Sequence, residues 1–271
     1  MVHASNSNSY KTASERDDGG DAMSEQQAIM PTPEVMEATI EREKDHPGSY
    51  VVRAGKAILD VAVSTPSRRQ AGPDLKKWLR QVIHVYGKQQ DRKSKIVVGF
   101  TAKNRHNISS GASRYSAASK DMFHEMFQFC VGQHCLLIES EPYSWICTNV
   151  RTFLREFFLD RRFVFVGVGA KAIVEKIKKD HEDNAELCLI PNPVDLTELA
   201  ASHFSLKDPS KCSLEMLAKL ILDVDFSKPK KMVWSDAQNP YSMFSDELVM
   251  WSSVEAYLNA EIGLKLSVDK L

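Results

Sequence analysis

Glycines, cysteines and clustered basic residues are the groups in this chain whose types and spacing could carry chemistry. Gly167 and Gly169 close an apolar run, Phe163-Val-Phe-Val-Gly-Val-Gly169, and glycines at the end of a strand can cradle a phosphate. Only GxG is present, without a third glycine or a following Lys-Ser/Thr, so a structural strand-to-helix turn is the preferred interpretation. Cys130 and Cys135 would suit half of a zinc site, but no second Cys/His pair follows at ligand spacing, and two hairpin cysteines are favoured.

Two basic clusters are candidates for contacts with nucleic-acid phosphates. One is a Lys-Pro-Lys-Lys loop and the other is an Arg-Arg pair in a predicted turn. A solvated loop accounts for each cluster about equally well. The predicted nucleic-acid-binding residues are therefore Lys228, Lys230, Lys231, Arg161 and Arg162.

The elements that must position these groups follow from apolar periodicity. Short β-branched and aromatic runs predict buried strands, and apolar residues spaced three and four apart predict amphipathic helices. Hairpins come first along the chain, and strands then alternate with helices, which predicts an α/β fold with a mixed sheet and helices on both faces. The predicted strands cover 49–53, 57–63, 96–100, 127–131, 134–138, 163–166 and 187–190, and the predicted helices cover 75–83, 150–158, 171–179, 195–204, 213–223 and 245–262.

The first 48 residues differ in composition from the rest of the chain. They are rich in Ser, Asn, Asp, Glu and Gln and lack the hydrophobic density that folding needs. We therefore expect residues 1–48 to be a disordered acidic arm and residues 49–271 to be one domain. Within the arm, a short helix over Glu34–Lys44 is compatible with Pro33 at its first turn.

Composition limits the classes of function. The 271 residues include 43% apolar ones and carry a net charge of −1, so any nucleic-acid binding must rest on local patches. No apolar run is long enough to cross a bilayer, and the first residues do not form a secretory signal. Five scattered cysteines favour reduced thiols in an intracellular protein. We expect a nuclear or cytoplasmic location and no membrane partner.

Several blocks resemble one family of enzymes. The segment 154–169 resembles the second exonuclease block of the Werner-type 3′–5′ exonucleases, especially their plant members, and 96–100 stands where that family has its first catalytic strand. The segment 130–136 is similar to the family's next hairpin, and further blocks follow in the family's order. This resemblance implies an RNase H-like fold with a five-stranded mixed sheet flanked by helices. The further blocks are 194–201, 228–231, 234–236 and 254–257.

The same resemblance implies that the catalytic site has been lost. The family depends on four carboxylates and a tyrosine around two Mg²⁺ or Mn²⁺ ions, and hard divalent ions need oxygen ligands. Only one of these positions keeps a carboxylate here, so no intact catalytic residue, no metal site and no cofactor is expected, with Glu255 the only remaining metal-ligand candidate. The family's positions are occupied by Thr101, Lys103, Ile173, Trp251 and Glu255.

Three functions stay open at this point. The first is a catalytically degenerate exonuclease-like protein that keeps nucleic-acid (DNA or RNA) or protein binding and acts as a regulator. The second is a residual metal-dependent 3′–5′ exonuclease that uses Mg²⁺ or Mn²⁺ through Glu255 and unconventional ligands. The third is a protein-interaction scaffold that binds no nucleic acid. Metal binding separates the second from the others, and salt-dependent oligonucleotide binding separates the first from the third.

Overall fold

Strand-forming and helix-forming segments alternate along the chain much as their periodicity predicts. The computed structural model describes residues 33–64 except 45 and 47, 71–87, 95–103, 126–139, 148–180, 193–205, 208, 212–229 and 244–268. The strands are β1 (Glu34–Val35), β2 (Ala38–Arg42), β3 (Ser49–Ala54), β4 (Ala57–Ser64), β5 (Ile96–Lys103), β6 (Met126–Val131), β7 (His134–Glu139), β8 (Phe163–Gly167), β9 (Val194–Asp195) and β10 (Val224–Asp225). The helices are α1 (Ala71–Tyr86), α2 (Thr148–Leu159), α3 (Ala170–Asp180), α4 (Leu196–Phe204), α5 (Leu214–Leu217), which a π-helical turn (Ala218–Leu222) extends, and α6 (Asp246–Lys265).

One mixed sheet organises the described part of the chain. Its strand order is β2-β3-β4-β7-β6-β5-β8-β9. The pairs β4–β7, β5–β8 and β8–β9 are parallel, and the other neighbours are antiparallel. The predicted mixed α/β class is confirmed. The sheet has eight strands among the described residues rather than the five that the resemblance implied.

The N-terminal boundary predicted from composition is too late. β1 pairs with β10, and β2 pairs antiparallel with β3, so the helix expected over Glu34–Lys44 is wrong. Ala38 and Ile40 alternate with polar residues, and both pack against the core, which is the period of a strand with one buried face. The fold therefore begins by residue 34. Residues 1–32 of the expected arm and the strand predicted over 187–190 lie outside the described residues.

The sheet is covered by helices on both faces. In β8, Val164 and Val166 face the helices α4, α5 and α6, whereas Phe163 and Phe165 face α1, α2 and α3. Side chains that alternate between two buried faces explain why this strand reads as a continuous apolar run. We call the two layers the α6-side core and the α1-side core.

The second hairpin carries a disulfide that the sequence did not predict. Cys130 and Cys135 are direct partners across β6 and β7, with their Cα atoms 4.1 Å apart, and their sulfurs are bonded. A two-residue turn at Gly132 and Gln133 places the two cysteines opposite each other, so the expectation of reduced thiols fails for this pair.

Among the described helices, none combines the length and apolar character needed to span a bilayer.

Helix α6 packs against β5 at one point of unusually close approach. A Cβ atom added to Gly99 would lie 1.9 Å from the carbonyl oxygen of Ala256 and 2.7 Å from the amide nitrogen of Ala260. Both atoms belong to the helix backbone and cannot rotate away. Glycine at position 99 is therefore what allows the helix to lie directly on the central strand.

We expect Gly99→Ala to destabilise the fold by about 3 kcal/mol, at the upper end of overpacking costs. Urea unfolding measures this change, and Gly55→Ala is the matched control. Gly55 lies in an open turn at φ +56°, so its replacement costs about 1 kcal/mol through backbone strain alone. Equal losses in the two variants would contradict the close packing at Gly99.

A second prediction separates the described N-terminal strands from the residues that precede them. Deleting residues 1–32 should leave the melting temperature almost unchanged, because their composition cannot supply a core. Deleting residues 1–43 removes β1 and β2 and should lower it by many degrees, because Ala38 and Ile40 then leave the α6-side core. Similar melting temperatures for the two truncated chains would show that β2 contributes little.

Candidate functional site

The structure brings Lys103 and Glu255 into direct contact. Lys103 ends β5, and Glu255 lies in α6 one residue before Ala256, whose backbone touches β5 at Gly99. The Lys103 Nζ lies 2.6 Å from Glu255 Oε2. Both residues are buried, at 8% and 4% exposure. The close approach of α6 to β5 thus places an ammonium and a carboxylate in contact within a nearly closed cleft.

A second ammonium completes this cluster. Lys228 Nζ donates to Glu255 Oε1 at 2.6 Å and lies 3.8 Å from a carboxylate oxygen of Glu215. Lys103 also donates to Ser252 Oγ at 3.3 Å. Each carboxylate oxygen of Glu255 therefore binds its own ammonium group. We call Lys103, Glu255 and Lys228 the ion cluster.

The charges of the ion cluster determine how its groups titrate. Burial by itself would raise the pKa of Glu255, but the ammonium groups of Lys103 and Lys228 outweigh burial and hold that pKa below its ordinary value. Burial lowers the pKa of Lys103, and the carboxylate of Glu255 only partly opposes it. For Lys228, which is more exposed, the same carboxylate outweighs burial and raises the pKa. Glu255 is thus an ionised carboxylate at neutral pH.

The residues of the cleft do not fit a pair of divalent ions. A metal needs free carboxylate oxygens, and both oxygens of Glu255 already bind ammonium groups. Glu139 faces the same side of the sheet, but Met126 stands between it and Lys103 in the strand register, a separation of about 10 Å at ordinary strand spacing. Within the described part of the chain, no three His, Cys, Asp or Glu side chains are grouped as metal ligands.

The other family positions differ in where their side chains lie. Trp251 is one turn before Glu255 on α6, is buried, and contacts the Phe226 ring at 5.7 Å. Thr101 is partly exposed on β5, two residues before Lys103. Ile173 packs against the α1-side core, so it lies on the other side of the sheet from Lys103 and Glu255, and a prediction that all these positions converge in one cleft is wrong for Ile173.

The predicted basic residues do not form one surface. Lys228 belongs to the ion cluster, whereas Arg162 precedes β8 and its carbonyl accepts from Ile96 at the start of β5. Lys103 ends β5 seven residues later, about 23 Å along the strand. Arg162 is also paired with Asp160. Arg161 and Arg162 therefore lie at the opposite end of the sheet, and Lys230 and Lys231 lie outside the described residues.

The GxG segment is held by protein groups that sequence analysis missed. Val168 N–H donates to Asn259 Oδ1 at 3.1 Å, and Gly169 N–H donates to Asp195 Oδ1 at 3.3 Å. These are the backbone donors that a phosphate would need, so the structural interpretation of this turn is favoured. Spacing offered a signal for Asn259, because it follows Glu255 by one helical turn and shares its face of α6. No comparable signal linked Lys228 to Glu255.

This chain is similar to several solved structures at low sequence identity. No protein-family model and no curated protein sequence matches it. Its structural neighbours include exonuclease domains. The EXD2 exonuclease domain, from a crystal soaked in Mn and dGMP, shares 17% identity over 76% of this chain and 90% of its own, with a TM-score of 0.35.

Two further structures are similar over most of this chain. Escherichia coli RNase D, an exoribonuclease involved in structured RNA processing, shares 13% identity over 77% of this chain and 45% of its own, with a TM-score of 0.49. The Aedes aegypti Nibbler EXO domain shares 13% identity over 76% and 88%, with a TM-score of 0.48. The chain itself has a mixed sheet flanked by helices.

The ion cluster predicts that replacing Glu255 lowers the free energy of unfolding much more than replacing Lys103. Glu255→Gln leaves the Lys103 ammonium buried without its counter-ion, and we expect a loss of about 3 kcal/mol in unfolding free energy. Lys103→Met should cost about 1 kcal/mol or less, because Glu255 keeps Lys228 as a partner. Urea unfolding of both variants at neutral pH measures the difference. A larger loss for Lys103→Met would contradict the assigned charges.

The same cluster predicts how stability depends on pH. The pKa of Glu255 is lower in the folded chain than in the unfolded one, so its carboxylate stabilises the fold above its ordinary pKa. This contribution is lost as the pH falls through the folded pKa. Unfolding between pH 7 and pH 3 should therefore show the gap between wild type and Glu255→Gln narrowing in acid. A constant gap would mean that Glu255 does not titrate as described.

Proposed function

We propose that this chain is a catalytically degenerate 3′–5′ exonuclease-like protein that binds nucleic acid without metal ions. The observation that carries this proposal is the ion cluster, in which Lys103 and Lys228 occupy both oxygens of Glu255. A lysine ammonium delivers positive charge where the family's resemblance implies metal ions. It does so without activating water, since it offers no open coordination position.

Lys228 is the cluster member best suited to reach a phosphate. Its side chain is 39% exposed, whereas that of Lys103 is 10% exposed. An ammonium group has three N–H donors, and only one of them is needed for the bond to Glu255. Lys230 and Lys231 follow Lys228 after Pro229 in sequence, and we include them in the proposed contact. Arg161 and Arg162 are left out of it because of their distance along the sheet.

The proposed role is regulation of an active relative by occupying its substrate or its partner, within the nucleus or the cytoplasm. Both DNA and RNA are candidate ligands, and a protein partner can act through the same occupation. The ion cluster disfavours the alternative of a residual exonuclease, because a divalent ion would have to displace two ammonium groups from one carboxylate.

The test uses the purified full chain and labelled single-stranded and double-stranded oligonucleotides of DNA and RNA. We expect no cleavage above background with Mg²⁺ or Mn²⁺. We expect binding that survives EDTA and weakens as salt rises. Lys228→Ala should reduce the slope of log affinity against log salt by about one, and Lys56→Ala, an exposed lysine paired with Glu34 elsewhere, should not.

Two outcomes would contradict the proposal. Cleavage from the 3′ end that Glu255→Gln abolishes would establish the residual exonuclease instead. Absence of binding to every oligonucleotide, with the chain folded by circular dichroism, would leave the protein-interaction scaffold.

Introducing carboxylates beside Glu255 tests the proposal by a gain of metal binding. Thr101→Asp together with Lys103→Glu should create Mn²⁺ binding, because both changes supply oxygen ligands near Glu255 and the second frees one of its oxygens. Isothermal titration with MnCl₂ measures this, with Lys103→Met as the control that frees the oxygen without adding a ligand. We expect no turnover from this variant, because Ile173 packs on the opposite side of the sheet and catalytic groups that act as a unit are strongly non-additive.

A further inference from the structure

Positive charge in this chain is concentrated around helix α1. Residues 65–95 contain nine Lys and Arg residues and only two acidic ones, Asp74 and Asp91. This segment therefore has a formal charge of +7, although the whole chain has a net charge of −1. Within the segment, the structure describes α1 together with Gly87 and Lys95. A local excess of this size is the kind of feature that binds polyanions, whatever the overall charge.

The packing of α1 fixes which of its faces is turned to solvent. Leu75, Trp78 and Val82 are buried in the α1-side core, and their spacing of three and four residues places them on one face of the helix. At about 100° of rotation per residue, the basic residues of α1 fall within an arc of about 100° on the opposite face. These exposed residues are Lys76, Lys77, Arg80 and His84.

The cations on this face have no carboxylate partner in the described part of the chain. From Leu75 to Tyr86 the helix contains no acidic residue, and neither Lys76 nor Arg80 takes part in an ion pair among the described residues. Exposed cations on other elements are paired, as in Lys56–Glu34, Arg162–Asp160, Lys171–Glu198 and Lys178–Glu175. We call Lys76, Arg80 and His84, which follow one another at intervals of four residues, the α1 basic stripe.

Neighbouring charges define the extent of this surface. Lys77 lines a cavity of about 410 Å³ together with Asp60 and Glu43, so carboxylates partly balance its charge, and we leave it out of the stripe. The adjacent helix α2 exposes Arg155 and Glu156, whose opposite charges cancel. The unbalanced positive charge of the described residues on this side of the sheet is therefore that of the stripe itself.

We propose that the α1 basic stripe is a second nucleic-acid contact, which binds the phosphate backbone without reading sequence. This inference rests on the proposed nucleic-acid binding and adds a surface on the other side of the sheet from the ion cluster. The stripe is about 12 Å long at about 1.5 Å per residue, which matches about three nucleotide steps of about 3.4 Å along one strand. A membrane surface is the less suitable partner, because interfacial helices insert their apolar face into lipid, and the apolar face of α1 is buried in the protein.

The experiment measures binding of the full chain to labelled DNA and RNA oligonucleotides over a series of salt concentrations. The double variant Lys76→Gln, Arg80→Gln should lower the slope of log affinity against log salt by almost two on duplex DNA, because each lost phosphate contact removes about 0.9. The matched control is Lys171→Gln with Lys178→Gln, which removes the same charge from helix α3. Both of those lysines are already paired with carboxylates, so the control should keep the wild-type slope.

The result for Lys228→Ala distinguishes this inference from the proposed function. A slope that falls with Lys228→Ala but not with the α1 double variant would overturn the inference and leave the cleft as the binding site. A slope that falls with the α1 double variant but not with Lys228→Ala would support the stripe and remove the cleft from the contact. Absence of binding by the folded chain to every oligonucleotide would overturn both.

Two further results would overturn the inference. Equal losses of slope in the α1 double variant and in the α3 control would show an effect of total charge rather than of the stripe. Vesicles of mixed phosphatidylcholine and phosphatidylserine should not bind the chain. Vesicle binding that the α1 double variant abolishes, with its oligonucleotide slope unchanged, would assign the stripe to an anionic membrane surface instead.

Discussion

The close contact between α6 and β5 is the constraint on which the rest of the structure depends. With glycine at position 99, the backbone of Ala256 can rest directly on the central strand. That contact brings Glu255, the neighbouring residue, down to the level of the sheet, where it meets Lys103 at the end of the same strand. A larger residue at position 99 would lift the helix and separate the two charges. The packing of the α6-side core and the geometry of the candidate site therefore share one cause.

Burial determines how firmly Glu255 is held by its ammonium partners. In water, a lysine beside a carboxylate contributes little, and either group can pair elsewhere. Inside the cleft, Glu255 has no comparable alternative, because removing either charge from solvent is costly unless it is paired. Its two oxygens are committed to two ammonium groups, so the cleft is organised for positive charge supplied by the protein.

The two faces of the sheet differ in the side chains that they bury. The α1-side core is dense in aromatic rings, with Phe157 in edge or stacked contact with several of its neighbours, and such packing leaves little room for polar groups. Trp78 and His134 line a cavity beside this layer. On the α6 side, Lys103 and Glu255 pair at the end of β5.

The apolar periodicity of short segments was enough to predict most of the strands and helices, because each period shows within a few residues. The hairpins, the strands β5 and β8, and the starts of the helices α5 and α6 lie where the sequence indicated. Composition misled over residues 34–42, since polar residues on an edge strand are hard to tell from a disordered arm until β3 is seen beside them. Sequence also singled out Lys103 and Glu255, but only as separate substitutions in a resembling family. Tertiary structure decided that these two residues bind each other and that Lys228 joins them from a distant loop. It also decided that Ile173 packs in the opposite core. Each of these depends on where α6 and α3 pack against the sheet.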